Sequence, residues 1–86
     1  MKYNWIFDER IEALVFGNPN NGGGVVEELN TIASEVSYHG NVVSPFATDI
    51  IGVGPFDNVV DAQEAVEKEY DRILFESVIA EPKDFV

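Results

Sequence analysis

The segment Asp57–Ala80 constrains the fold more than any other part of this chain. Val59, Val60, Val66, Tyr70, Ile73, Leu74 and Val78 recur at helical spacing, and carboxylates fill much of the remainder. A helix over about 58–79 has one face for a core and another for solvent or a partner. Asp57 or Asn58 supplies an N-cap, Asp61-x-x-Glu64 repeats a capping-box pattern one turn later, and Pro82 stops the helix. Glu64, Lys68, Arg72 and Glu76 follow one another at steps of four, a ladder worth about 0.2–0.5 kcal/mol per opposite-charge pair. Asp57, Asp61, Glu67 and Asp71 have no such partner along the helix, and Glu67 and Asp71 form a like-charged pair at the same spacing.

A second helix is expected over about 24–39. Val25, Val26, Leu29, Ile32, Ala33 and Val36 make an apolar stripe, most of the polar residues fall off it, and Gly40 offers a stop. Upstream, Tyr3, Trp5 and Phe7 alternate with Lys2, Asn4 and Ile6, a strand pattern with one aromatic face. Asp8 can then cap a short helix through Ile11, Leu14 and Val15; a hairpin returning through Ile11–Phe16 is the competing reading. The run Gly17–Gly24 reads as a mobile polar connection. It lacks the Gly-Lys-Ser/Thr ending of a phosphate loop, and Glu27 and Glu28 stand where an anion would sit. Asn41–Ser44 is a brief strand stopped by Pro45, and Thr48–Val53 a second one suited to a central position. The expected fold is therefore α+β: a small single domain spanning 1–86, with a short antiparallel or mixed sheet packed against two main helices.

Charge separates the function classes. Sixteen acids oppose five bases, for a net charge of −11, and no Lys or Arg occurs between Ile11 and Glu67. Such a surface repels nucleic acid and anionic membrane and attracts basic surfaces, with fast, salt-sensitive association. An apolar fraction of 45% argues for a folded domain rather than an acidic tail. No apolar run approaches the roughly 20 residues of a membrane span, and the N-terminus lacks a signal-peptide layout, so a cytoplasmic protein is expected.

Chemical machinery is sparse. With no cysteine and one histidine, His39, a zinc site would need carboxylates from several elements, and the acids miss the calcium-loop spacing. His39 is placed at a helix C-terminus, where the dipole favours capping over general-base work. Gly52-x-Gly54 lacks the third glycine of a dinucleotide fingerprint. The piece Gly52-Val53-Gly54-Pro55-Phe56-Asp57, with Ala62 and Ala65, resembles the strand-to-helix step of peptidoglycan-binding SPOR repeats; it spans under a quarter of the chain, and nothing is carried over from it. No catalytic residue, metal ligand or cofactor site is expected, and the chain is not read as an enzyme.

What remains is binding. Carboxylates four apart on a helix stand about 6 Å from each other, near the spacing of successive phosphates. The expected function is a small acidic inhibitor that occludes the nucleic-acid-binding surface of a target enzyme. Phage anti-CRISPR and anti-restriction proteins and nuclease immunity proteins are similar in size and charge. The expected partner-binding residues are Asp57, Asp61, Glu64, Glu67, Asp71 and Phe75, the last an aromatic ringed by carboxylates. The partner would be a basic, nucleic-acid-handling protein, bound by a monomer or homodimer. The alternative is a structural or assembly subunit of a phage or bacterial oligomer that uses Val42–Val53 as an exposed edge.

Overall fold

The computed structural model describes residues 1–18, 21–30, 35–46 and 50–80, with side chains to Glu76. Strands β1 (Ile6–Asp8), β2 (Ala13–Asn18), β3 (Gly22–Asn30), β4 (Val36–Val43) and β5 (Ile50–Phe56) precede one helix, α1 (Val59–Ala80). The strands form a single sheet in the order β1-β2-β3-β4-β5, antiparallel throughout. The helix lies across β3, β4 and β5 on one face.

This corrects the expected pair of main helices. Only α1 is helical among the described residues; the segment given to a helix over 24–39 is instead β3 and the start of β4, paired from Gly23↔Val43 to Asn30↔Val36. Residues 31–34, the middle of that stripe, lie outside the described residues. Gly22–Gly24, two of which pair directly with Phe16 and Gly17, are poor helix formers, and Val25-Val26 are β-branched. Lattice-like cross-strand pairing therefore overrides a stripe that fits a helix on paper.

Three smaller readings change with it. The competing hairpin reading of residues 6–16 is the one observed, since β1 and β2 pair at Ile6↔Val15 and Asp8↔Ala13 in place of a helix. The Gly17–Gly24 connection shrinks to a tight turn at Asn18–Asn21, with Pro19 and Asn20 outside the described residues. His39 sits within β4 opposite Glu27 rather than at a helix end. Of the strand expected over Thr48–Val53, Thr48 and Asp49 lie outside the described residues; the rest is β5, an edge strand that runs on to Phe56.

Helix packing is set by glycine. On adjacent strands, Gly24 and Gly40 face α1 beneath Val66: a Cβ at Gly24 would collide with Val66 and the Phe16 ring, and one at Gly40 with Val66 and Val53. Their missing side chains form a socket that Val66, fully buried, fills from above. Val26, Val42, Phe16 and Ala62 complete the buried core, with Leu14, Tyr38, Ile51, Val53 and Ile73 packed against it. Each fully buried valine contributes about 1.5–3 kcal/mol. Asn58 caps the helix: its Oδ1 accepts from the Asp61 N–H at 2.8 Å, and its Nδ2 donates to Asp61 Oδ2 at 2.9 Å.

Candidate functional site

Two groups of acids differ sharply in their surroundings. The first lies along the seam between α1 and the N-terminal segment. Tyr3 stacks on Phe16 with ring centroids 4.5 Å apart, Trp5 meets Phe16 edge-on at 4.7 Å, and Tyr70 closes the group edge-on to both Tyr3 and Phe16. Stacking buries donors that need acceptors, and two helix carboxylates supply them.

Glu67 is 7% exposed. It accepts from Trp5 Nε1 at 2.8 Å and from the backbone N–H groups of Tyr3 and Lys2 at 3.1 and 3.3 Å. One turn on, Asp71 accepts from the Tyr3 hydroxyl at 2.5 Å and from Lys2 Nζ at 3.0 Å. The two helix residues that look like a repelling pair in sequence are thus held by one strap of chain.

Their acidities follow. Burial works to raise the Glu67 carboxyl, but the bonds from Trp5 and the two backbone N–H groups outweigh it, and the net shift is downward. The Tyr3 hydroxyl bond lowers Asp71, burial opposes it, and Lys2 adds to the lowering. Burial, then the bond to the Asp71 carboxylate, pushes the Tyr3 phenol well above its ordinary 10.0.

The other expected partner-binding residues sit differently. Asp57, just before α1, and Asp61 and Glu64, on its N-terminal half, are exposed with no ion pair among the described residues, although Asp61 is tied to the Asn58 cap. Phe75 is 65% exposed, so it does not close the core against the N-terminal aromatics. Of the expected ladder, Arg72 and Glu76 pair at 2.7 Å and Arg72 also grips Glu69; no Lys68–Glu64 pair is formed. The structure thus joins Glu67 and Asp71 in an internal network and leaves Asp57, Asp61, Glu64 and Phe75 outside.

The second group is at the β1–β2 hairpin end and was missed by helical spacing. Phe7, Glu9, Glu12, Glu28 and Asn30 line an open depression there. It shares Phe7, Glu12 and Glu28 with a smaller apolar pocket of about 190 Å³ floored by Leu14, Val26, Tyr38 and Val59. Glu12, in the turn that leads into β2, and Glu28, on β3, line the same depression and the same pocket. Like charges so placed repel. Neither has an ion pair among the described residues, and the nearby Arg10 is bound to Asp8 at 3.0 Å. Glu12 has a left-handed φ of 54°, a conformation costing roughly 1–2 kcal/mol outside glycine. The signal that could have found this site is the hairpin register, visible only once Ile11–Phe16 is read as a strand.

The sheet's other face carries an apolar hollow lined by Ile6, Ile11, Val15, Val25 and Val43, with the Asp8–Arg10 pair at its rim. No group of side chains suited to hold a metal ion occurs among the described residues, and no described helix is long and apolar enough to cross a membrane. Comparison with protein-family models, curated proteins and solved structures finds no match.

Proposed function

We propose that this protein is a small acidic inhibitor that occludes the nucleic-acid-binding surface of a target enzyme, in the manner of phage anti-CRISPR or anti-restriction proteins or of nuclease immunity proteins. The observation that carries this reading is that Glu9, Glu12 and Glu28 share one open depression, that Asp57, Asp61 and Glu64 are exposed as well, and that none of the six has an ion pair among the described residues. Val59, the first residue of α1, lines the same pocket as Glu12 and Glu28, which brings the start of the helix, with Asp57 two residues before it, to the hairpin end. Against a net charge of −11, this is where a basic cleft would be drawn. Glu67 and Asp71 support that surface from within rather than form part of it.

The test is capture of a lysate on the immobilised protein at low salt, followed by elution with salt and, separately, with DNA and RNA. The expected result is a basic, nucleic-acid-handling protein released by high salt and displaced by nucleic acid. Retention that nucleic acid does not compete contradicts occlusion.

A second reading has its own observation. Of the Val42–Val53 segment expected to form an exposed edge, Val42 and Val43 lie in the interior strand β4, with Val42 fully buried. Ile50–Val53, however, belong to the edge strand β5, whose first residue, Ile50, is 66% exposed and supports assembly through strand pairing with another copy. Sizing chromatography separates the two readings: a salt-independent oligomer favours assembly, and a monomer at both salt concentrations favours occlusion.

A further inference from the structure

The groove at the hairpin end combines an apolar floor with a charged rim, and that pairing selects an occupant. Its floor is Leu14, Val26, Tyr38 and Val59, and Phe7, 58% exposed, stands at the opening it shares with Glu9, Glu12 and Glu28. A purely apolar partner would strand these carboxylates out of water, and a bare cation would leave the aromatic and aliphatic floor uncovered. A side chain with an apolar stem and a planar cationic head satisfies both parts. Arginine fits better than lysine, because its guanidinium stacks on aromatic faces and forks to carboxylates. From this complementarity of shape and charge we infer that the groove receives an arginine side chain of a protein partner, the stem crossing Phe7 and the head lying between Glu12 and Glu28.

The inference rests on the occlusion reading for the nature of the partner and adds the contact that anchors it. The backbone at Glu12 agrees with it. Glycine would relieve the left-handed conformation there, yet the position carries a carboxylate at the mouth of the groove. The like charges of Glu12 and Glu28 at one mouth are relieved by a cation between them.

Amide chemical-shift mapping with N-acetyl-arginine amide, N-acetyl-lysine amide and N-acetyl-norleucine amide tests the inference. The arginine probe is expected to give saturable shifts at Phe7, Leu14, Val26, Glu28 and Tyr38. Lysine should bind at least about threefold more weakly, and norleucine should give no saturation. The Glu12→Gly and Glu28→Gln variants should each weaken arginine binding about fivefold or more, with the unfolding midpoint of Glu28→Gln at or above the parent's and that of Glu12→Gly raised. Shifts confined to Asp57–Glu64, shifts in the Ile6–Val15–Val25 hollow, absence of saturation, or unchanged affinity in both variants would overturn it. The two readings fail separately. An arginine probe that lands on Asp57–Glu64 removes the groove and leaves occlusion standing. A probe that lands in the groove, with a captured partner that nucleic acid cannot displace, does the reverse.

Discussion

The seam between α1 and the N-terminal strap and the open end of the β1–β2 hairpin are both rich in acid, and they use it in opposite ways. Along the seam, Glu67 and Asp71 accept bonds from Lys2, Tyr3 and Trp5, and the carboxylates hold two distant parts of the chain together. At the hairpin end, Glu9, Glu12 and Glu28 stand around exposed Phe7 with no base of their own among the described residues. The same residue type is a fastener in one place and an unanswered charge in the other. Formal charge does not distinguish them; the donors within reach do.

The comparison is broken most forcefully at the socket beneath Val66. Gly24→Ala drives a methyl into Val66 and the Phe16 ring, and is expected to cost about 3 kcal/mol in urea unfolding, lifting the helix that carries Glu67 and Asp71. Adding Val66→Ala to Gly24→Ala should recover part of that loss, whereas either change alone destabilises. Simple additivity of the two would mean that Val66 is not what the glycine accommodates.

A gentler break is Glu67→Gln, which keeps the size and removes the charge from three hydrogen bonds. The expected loss is about 1–3 kcal/mol, because amide nitrogen cannot accept from the donors left behind in a buried site. Hydrogen exchange should show the Tyr3 amide and the Trp5 indole losing protection in this variant. Charge reversal at Glu67 or Asp71 therefore reports first on folding, and its effect on binding is interpretable only after the fold is checked.

Acidity sharpens the contrast. The folded carboxyls of Glu67 and Asp71 lie below their ordinary values of 4.5 and 3.8. The unfolded chain therefore binds protons first as pH falls. The stabilisation they give is complete above those ordinary values and disappears as pH drops through the lower, folded ones. The parent should lose stability through this acid range, and Glu67→Gln should flatten part of that slope. On the alkaline side the sign reverses: the Tyr3 phenol is raised above 10.0, so its contribution is whole below that pH and is lost as pH climbs toward the folded value. Tyr3→Phe should remove that alkaline sensitivity with the smallest stability change of the seam variants, about 1 kcal/mol.

Much of this division was legible only in part. The periodicity of Val59, Val66, Tyr70 and Ile73 and the Asn58 cap gave α1 to within a residue or two, because a long amphipathic helix repeats its signal many times. The stripe from Val25 to Val36 misled because a short apolar pattern fits either period, and only pairing with Phe16–Gly17 and Val42–Val43 decides. The alternation of Tyr3, Trp5 and Phe7 predicts a strand with one aromatic face, but the strand is confined to Ile6–Asp8: Tyr3 and Trp5 precede it and pack on Phe16, and Phe7 stays exposed outside that cluster. What the strap lacked in sequence was its acceptor, more than 60 residues away at Glu67. Glu12 and Glu28 are sixteen positions apart and meet at one depression only once β2 pairs with β3, a pairing that no single strand encodes.

The most direct test places the two acidic regions side by side, comparing the urea-unfolding midpoints of Glu67→Gln and Asp71→Asn with those of Glu12→Gln and Glu28→Gln. The seam variants are expected to lose stability clearly, and the hairpin variants to stay within about 0.5 kcal/mol of the parent or to gain as repulsion is relieved. Equal losses in both regions, or a stable Glu67→Gln beside an unstable Glu12→Gln, would contradict the division of the acids on which the binding surface depends.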